Sequence, residues 1–231
     1  MTHLGLRIEA IRFFTIAGPN DFLLLTPERA RALGIDVFLQ DGMDVTTPDQ
    51  APTVDVYADR FVSYGVLRSR CAGFFKMDPG VVERAHMEAI ETGQPIAGNE
   101  TWINIWMTMF ESAKADMNTR GSLLVCIETE AHLRRQGLPT GIDGPSYECS
   151  KASTPTEFAM CADEKLWAKD RAMNSIYFWI RDNIEPSTRK GILAAQRAWL
   201  AERNSCGGDA SCLHDVYDRR LRMFKDIDVS S

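Results

Sequence analysis

The chain has little of what a metal centre or a membrane span requires. It has only four histidines, and none of its six cysteines is spaced as Cys-x-x-Cys, whereas zinc ligands recur at short characteristic spacings. Its longest strongly apolar runs, residues 22–25 and 123–127, are far shorter than the roughly 20 residues of a membrane-spanning helix. We therefore expect no metal, no cofactor and no membrane-spanning segment.

Positive charge is also scarce relative to negative charge. The sequence has 26 Lys and Arg against 32 Asp and Glu, which gives a net charge of -6. Binding to nucleic acid needs a clustered positive surface, so nucleic acid is excluded as the main partner. Residues 1–145 contain 13 Lys and Arg against 19 Asp and Glu, and residues 146–231 contain 13 of each. The C-terminal part is therefore electrically neutral.

The first 19 residues lack the uninterrupted apolar core of a signal peptide, because Arg7, Glu9 and Arg12 interrupt them. Six cysteines nevertheless fit disulfides better than reduced core thiols or a metal site, and disulfides persist in oxidising compartments. We therefore expect a periplasmic or secreted protein. We also expect the sequence to be a fragment whose export signal lies upstream.

Local spacing favours three disulfides, although other connectivities stay open because pairing cannot be deduced from sequence alone. Two pairs are close in sequence at the ends of helical stretches, and the third joins the apolar faces of two predicted helices. The expected bridges are Cys149 with Cys161, Cys206 with Cys212, and Cys71 with Cys126.

Residues 1–50 predict a short α/β segment. After a first amphipathic helix, Thr26 caps a second helix that ends at Gly34. Residues 35–39 then predict a strand. Gly, Pro and small polar residues at 42–53 indicate a linker, and we place a domain boundary there.

Residues 54–137 predict a small bundle of four helices, because their apolar stripes must bury against one another. Gly93 and Pro95 predict the end of the second helix. The aromatic stripe that follows either fills the core or forms an exposed face for a partner. We expect the core for these residues, which are Trp102, Trp106 and Phe110.

Residues 146–231 predict a second helical module, which follows a Gly- and Pro-rich linker at 137–146. A capping box of Thr154 and Glu157 starts a long helix that should continue to Ile180. Helices at 187–204 and 209–224 follow, and their core is expected to hold Trp167, Trp179 and Trp199. The fold class is thus mainly α: disulfide-stapled helical bundles with a short α/β element at the N-terminus.

The sequence offers no catalytic constellation. A catalytic base needs a positioned nucleophile and an orienting group, but the histidines lie in separate segments among charged neighbours. We expect no enzyme activity and four ordinary surface histidines: His3, His86, His132 and His214.

The C-terminal cysteine layout carries a family resemblance. Cys149, the Ser-Thr-Pro-x-Glu cap from Ser153 to Glu157, and Cys161-Ala-Asp lead the pattern. Cys206, Cys212 and Arg219 close it, over roughly residues 146–225. This segment resembles the LprI-type lysozyme-inhibitor-like domain of bacterial envelope proteins. The other residues of the pattern are Thr154, Glu157, Asp170, Tyr177, Gln196, Trp199, Arg203 and Tyr217.

Asp170, Gln196 and Arg203 either contact a partner or form a hydrogen-bond network between helices. We expect the network, with Asp170 receiving Arg203, because Arg–carboxylate pairs orient packed helices. Loss of Arg203 should then lower the melting temperature. The best partner-binding candidate is the loop closed by Cys206 and Cys212, since a rigid loop loses little entropy on docking. Its residues include Asn204, Ser205, Gly207, Gly208 and Asp209.

The resemblance implies an envelope protein whose C-terminal module binds lysozyme and occludes its cleft. The alternative is a non-catalytic periplasmic interaction or structural module of a larger protein whose hydrolase-like part lies upstream. Residues 4–42, including LLTPERARALGIDVFLQDG, resemble the tail of a Clp-protease or crotonase-like domain. That resemblance implies that any active site would precede this chain.

Overall fold

Helices dominate the fold, which confirms the mainly α class. A computed structural model describes residues 8–16, 25–41, 44–46, 52–227 and 229. A π-helical turn, Leu67–Cys71, and a 3-10 turn, Cys149–Lys151, join helices. The helices are α1 (Ile8–Ile16), α2 (Pro27–Ala32), α3 (Val54–Val66), α4 (Ala72–Phe75), α5 (Pro79–Ala97), α6 (Asn99–Arg120), α7 (Ser122–Arg135), α8 (Pro155–Ala162), α9 (Glu164–Asn183), α10 (Arg189–Ser205) and α11 (Ala210–Met223).

The N-terminal region differs from its prediction. The Thr26 cap of α2 is present, since its hydroxyl accepts a hydrogen bond from the Arg29 N–H at 3.2 Å. The predicted strand at residues 35–39 is wrong, because residues 35–38 are irregular. A three-residue strand β1 (Leu39–Asp41) instead pairs antiparallel with β2 (Asp44–Thr46). The α/β element is thus reduced to a short hairpin.

The chain divides into two units that do not follow the sequence linearly. Unit 1 contains Met1–Val62 and Ala85–Ser112, and unit 2 contains Ser63–Arg84 and Ala113–Ser231. Helices α3, α5 and α6 therefore contribute residues to both units. The division predicted from composition, residues 1–50, 54–137 and 146–231, stays a prediction.

Unit 1 is built around a small apolar core. Phe13 of α1, Leu33 after α2 and Ala58 of α3 are buried together with Trp102 of α6. Only the first residue of the predicted aromatic stripe is fully buried: Trp102 is 1% exposed and Phe110 is 41% exposed. Trp106 is half-buried. Trp106 nevertheless packs against this core, so the expectation that the stripe fills a core is wrong for Phe110.

The predicted end of a helix at Gly93 and Pro95 is also wrong, because α5 continues to Ala97 with Pro95 inside it. Packing explains this result. A Cβ atom at Gly93 would lie 2.3 Å from the Trp102 ring and 2.8 Å from the Tyr57 Cβ. The missing side chain thus gives α6 and α3 room to pack, and this tertiary contact outweighs the low helix propensity of glycine.

His86 is not a surface histidine. Its side chain is 8% exposed, its ring stacks on Phe61 at 4.4 Å between centroids, and its Nδ1 lies 3.0 Å from the Phe61 carbonyl oxygen. His132 and His214 are half-buried. His3 lies outside the described residues.

Unit 2 packs several helices around α9, which runs through its centre. Helix α4 lies against one side of α9. Helices α7, α8 and α11 also contact α9. The Cys71–Cys126 disulfide joins the π-helical turn to α7 with 5.5 Å between the Cα atoms. The largest buried side chains here include Phe74, Phe75, Leu123, Leu133, Met160, Leu166, Ile176 and Tyr217.

The segment expected to be a linker at 137–146 is anchored within unit 2. The Tyr64 hydroxyl donates to the Pro139 carbonyl at 2.9 Å, and Arg134 donates to Thr140 Oγ1 and to the Ile142 carbonyl. Thr140 and Ile142 are buried. This segment is therefore part of the packing that surrounds the C-terminal helices.

In the part of the chain that the structure describes, none of the helices combines the length and apolarity that crossing a membrane demands. Within the same residues, no group of three or more His, Cys, Asp and Glu side chains is arranged to hold a metal ion.

Candidate functional site

The C-terminal helices begin at the predicted cap. Thr154 Oγ1 accepts a hydrogen bond from the Glu157 N–H at 3.2 Å, and the Glu157 carboxylate accepts from the Thr154 N–H at 3.0 Å. It also accepts from the Ser153 N–H at 2.8 Å. The backbone hydrogen bond from Ser153 is the main cause that lowers the pKa of Glu157. The capping box therefore fixes where α8 begins.

The single long helix predicted from Thr154 to Ile180 is wrong. Helix α8 ends at Ala162, and Asp163 then caps a new helix by accepting from the Lys165 N–H at 3.0 Å. The Asp163 carboxylate also accepts a hydrogen bond from His214 Nε2 at 2.8 Å. The preference of Asp for the N-cap was the signal in the sequence for this break.

Two short disulfides close the ends of these helices. Cys149–Cys161 joins the 3-10 turn before α8 to the last turn of α8, with 5.8 Å between the Cα atoms. Cys206–Cys212 joins the end of α10 to the first turn of α11, with 5.6 Å between the Cα atoms. The three bridges in the structure are the pairs that local spacing favours.

A buried polar group connects α9 to α11. The Asp170 carboxylate is buried and accepts a hydrogen bond from the Tyr217 hydroxyl at 2.6 Å and from the Ser146 N–H at 2.7 Å. Burial, followed by the charge of Asp170, raises the pKa of Tyr217 well above its usual value. Tyr217 therefore stays protonated and continues to donate to the carboxylate. We call Asp170, Tyr217 and Ser146 the Asp170 network.

Arg203 has a smaller part in this network than the sequence predicts. Its Nη1 lies 4.0 Å from the Asp170 carboxylate and 3.5 Å from the Tyr217 hydroxyl. Its Nε and Nη2 donate to the Asn204 side-chain oxygen at 3.1 and 2.8 Å. The predicted pairing of Asp170 with Arg203 is thus present as a long ion pair, whereas the direct hydrogen bond comes from Tyr217.

The other family-pattern residues have different surroundings. Trp199 is buried, packs edge-to-face on Tyr217 at 5.3 Å, and has Arg203 over its ring at 5.8 Å. Tyr177 and Gln196 are half-buried, and neither hydrogen-bonds to Asp170 within the described residues. Trp167 and Trp179 are half-buried as well, so of the three tryptophans expected in this core only Trp199 is fully buried.

Residues 204–211 contain the end of α10, the turn at residues 206–209 and the start of α11. We call this segment the crosslinked loop. Gly207 has a φ of 57°, a left-handed conformation that glycine adopts without strain. Asp209 Oδ1 accepts a hydrogen bond from the Cys212 N–H at 3.1 Å and caps α11. Asn204, Ser205, Gly208 and Asp209 are exposed. The loop is thus held at both ends and presents its middle to solvent.

A second group of interacting polar side chains lies at α9 and α11, and the sequence did not predict it. Lys169 Nζ lies 3.1 Å from His214 Nδ1 and 2.5 Å from the Asp218 carboxylate. Together with Asp163 it connects α9 to α11. Each pair is more than 40 residues apart in sequence, so no local pattern could indicate it.

The comparisons with known proteins support the resemblance of the C-terminal part of the chain. No curated protein and no solved structure matches the sequence. The resemblance of residues 4–42 to a Clp-protease or crotonase-like tail therefore has no support and stays a prediction. The family model described as "Lysozyme inhibitor LprI" matches residues 148–223. These residues contain α8 to α11, two of the three disulfides and the crosslinked loop, so this part of the chain is similar to the lysozyme-inhibitor domain of the LprI family.

Proposed function

We propose that the LprI-type domain binds a lysozyme and that the crosslinked loop enters the active-site cleft of that enzyme. Glycoside hydrolysis depends on two carboxylates that flank the scissile bond. A loop seated between them excludes the substrate without any chemistry of its own. The exposed, disulfide-closed loop at the junction of α10 and α11 is the observation that carries this proposal.

The loop is suited to docking because it is already ordered. The Cys206–Cys212 bridge closes it, and the Asp209 cap fixes its exit into α11. Binding by a preorganised loop costs less conformational entropy than binding by a flexible one. The exposed Ser205 and Gly208 are therefore available for contact at a low entropic cost.

The base of the loop is supported by packing. Trp199 and Tyr217 pack on each other below it, and Arg203 links this pair to Asn204 at the start of the loop. Rigid support of this kind is what a binding site needs to hold its geometry. We infer that the Asp170 network acts as a scaffold for the loop and makes no contact with the partner.

The excess negative charge of residues 1–145 favours association with a basic lysozyme. The C-terminal part is neutral, whereas residues 1–145 carry 19 acidic against 13 basic side chains. An acidic field attracts a basic lysozyme over distance and raises the association rate at low ionic strength. Three disulfides fit an extracytoplasmic protein, and the periplasm or the medium is where such an inhibitor would meet lysozyme.

The test measures lysis of bacterial cell walls by lysozyme while the oxidised chain is titrated in. Gly208→Glu is the informative variant, because a Cβ at Gly208 meets nothing within 4 Å and the new side chain adds bulk and a negative charge that the two carboxylates of the enzyme would repel. Gly191→Glu is the matched control, since that position is equally open and lies about 20 Å from the crosslinked loop along α10.

We expect dose-dependent inhibition by the unaltered chain and by Gly191→Glu, and roughly tenfold weaker inhibition by Gly208→Glu. Equal inhibition by both variants would contradict the role of the loop while keeping the inhibitor function. Absence of inhibition at high micromolar protein, with all three disulfides confirmed by mass, would remove lysozyme as the partner. It would favour the alternative, a non-catalytic interaction module of a larger envelope protein.

A further inference from the structure

A second feature of unit 2 is a cleft that the proposed inhibitor function does not use. It lies between the end of α4, the segment at residues 143–149 and the middle of α9. Its volume of about 630 Å³ falls within the range of small-molecule sites, which is roughly 300 to 1,000 Å³. We call it the α4–α9 cleft.

One arginine holds the walls of the cleft in place. Arg171 Nε donates to the Gly144 carbonyl at 2.7 Å, Nη1 donates to the Lys76 carbonyl at 2.9 Å, and Nη2 donates to the Asp143 carboxylate at 2.9 Å. These bonds tie α4, residues 143–144 and α9 together. The cleft is therefore preformed, which lowers the cost of binding a ligand.

The charges around the cleft leave one positive side chain uncompensated. Arg171 pairs with Asp143, and Lys151 Nζ pairs with Glu148 at 2.8 Å. Lys76 also lines the cleft, and it has no ion-pair partner among the residues that the structure describes. A monoanion matches one free ammonium group. A dianion such as phosphate would meet the two carboxylates with an excess of negative charge.

The floor of the cleft includes a polar group without a partner. Ser175 lines the cleft and is only 7% exposed, and within the described part of the chain its hydroxyl has no hydrogen-bond partner. Leaving a buried hydroxyl unpaired costs free energy, so a ligand that supplies an acceptor gains from it. The half-buried amide of Asn174, one residue earlier, also lines the cleft.

One aromatic ring supplies most of the apolar surface that a ligand can reach. Phe75 and Pro145 are buried, whereas the Tyr147 ring is half-buried and lines the cleft. Burial raises the pKa of Tyr147 to about 12, and its neutral hydroxyl donates to the Glu157 carbonyl at 3.0 Å. Tyr147 thus adds no negative charge at physiological pH and offers its ring for packing.

From this arrangement we propose that the α4–α9 cleft binds a small carboxylate with an apolar substituent. The carboxylate accepts hydrogen bonds from Ser175 and Asn174 and is neutralised by Lys76, while the substituent packs on the half-buried Tyr147 ring. The same chemistry occurs in a free N-acylated amino acid and at the C-terminus of a peptide. The proposal does not depend on lysozyme binding, because the crosslinked loop does not line the cleft.

The test is a titration of the full, oxidised ¹⁵N-labelled chain followed by amide chemical shifts. The probes are N-acetyl-leucine, its neutral amide, inorganic phosphate and the peptide acetyl-Gly-Gly-Leu with a free C-terminus. We expect N-acetyl-leucine to shift the amides at residues 144–149 and 174–175, and to bind at least about tenfold more tightly than its amide. Tighter binding of the peptide would identify a peptide C-terminus as the source, and equal or weaker binding would identify a free acid.

Two variants and two controls complete the experiment. Ser175→Ala removes an unpaired hydroxyl and so costs the fold no hydrogen bond, and Lys76→Gln removes the free charge. Each should weaken binding of N-acetyl-leucine by roughly tenfold, whereas Ser69→Ala and Lys190→Gln, exposed positions outside the cleft, should leave it unchanged. The proposal is overturned by unshifted amides at 10 millimolar probe (about tenfold above a 1 mM Kd), by equal binding of acid and amide, by tighter binding of phosphate, or by full affinity in Ser175→Ala.

Discussion

Asp170 is the residue whose surroundings matter most for the stability of the C-terminal helices. A carboxylate that is buried to 95% needs hydrogen-bond donors, because desolvation of its charge is costly. Tyr217 and the backbone at Ser146 supply them. Arg203 is close enough to add favourable electrostatics, but it donates its short hydrogen bonds elsewhere.

Tyr217→Phe should therefore destabilise the protein although it removes only one oxygen atom. The buried Asp170 carboxylate would lose its shortest hydrogen bond, and we expect the free energy of unfolding to fall by about 2 kcal/mol. Urea unfolding followed by circular dichroism measures this change.

Tyr177→Phe serves as the control, because Tyr177 is half-buried on the same helix as Asp170 and does not take part in the Asp170 network. Its effect should stay within about 0.5 kcal/mol. If both variants had equal stability, the hydrogen bond between Tyr217 and Asp170 would not contribute to the fold.

The residues of the network could be predicted from the sequence, but their pairing could not. Asp170, Arg203 and Tyr217 all belong to the family pattern, and an Arg–carboxylate pair was the simplest way to join two of them. Nothing local indicates that Tyr217, 47 residues away, reaches the carboxylate first. Hydrogen-bond choices among three polar side chains depend on side-chain positions that periodicity does not define.

Among the structural elements, the disulfides differ most in the length of chain that they close. Cys71–Cys126 spans 55 residues, Cys149–Cys161 spans 12, and Cys206–Cys212 spans 6. A longer closed loop restricts the unfolded chain more strongly, so the expected stabilisation follows the same order.

Paired Cys→Ala substitutions should reveal this order. In the loop-entropy model the free energy of unfolding falls by about 4 kcal/mol without Cys71–Cys126, by about 3 kcal/mol without Cys149–Cys161 and by about 2 kcal/mol without Cys206–Cys212. Denaturant unfolding of the three double variants measures it. A larger loss for Cys206–Cys212 than for Cys71–Cys126 would show that the short bridge acts mainly on the folded loop.

Element boundaries were predictable where a cap or a turn residue sets them. Thr26 and Thr154 start helices as expected, because a side-chain oxygen satisfies a free backbone donor locally. The helix end predicted at Gly93 and the single helix predicted from Thr154 to Ile180 were wrong for two different reasons. Trp102 packs over Gly93 and keeps α5 helical. Asp163 follows the end of α8 and caps the start of α9. Tertiary packing overrode propensity in the first case, and a missed cap explains the second.

At the scale of the whole molecule, the segment that matches the LprI family lies within the larger unit 2. Unit 2 also includes Ser63–Arg84, and α4 from that stretch packs along α9 with Phe74 and Phe75 fully buried. Composition suggested an independent module because residues 137–146 are rich in Gly and Pro. The contacts of α4 are distant in sequence and leave no such signature.

Residues 146–231 expressed alone should therefore fold less stably than in the full chain. The truncation would expose the face of α9 that α4 covers and remove the partners of Arg171 at Phe75 and Lys76. We expect a lower melting temperature by circular dichroism and a broader transition. A fragment that joins residues 63–84 to 113–231 by a short linker is the control and should recover the cooperative transition. Equal melting of residues 146–231 and the full chain would show that α4 is dispensable.

The placement of the cysteines has a consequence for how the chain responds to its surroundings. All six belong to unit 2, and the residues of unit 1 include none. A shift in the thiol–disulfide balance thus acts on one unit and leaves the other chemically untouched. Only unit 2 can therefore gain or lose disulfides. In a reducing environment unit 1 has no covalent crosslink to lose, whereas unit 2 lacks all three of its crosslinks until its cysteines are oxidised.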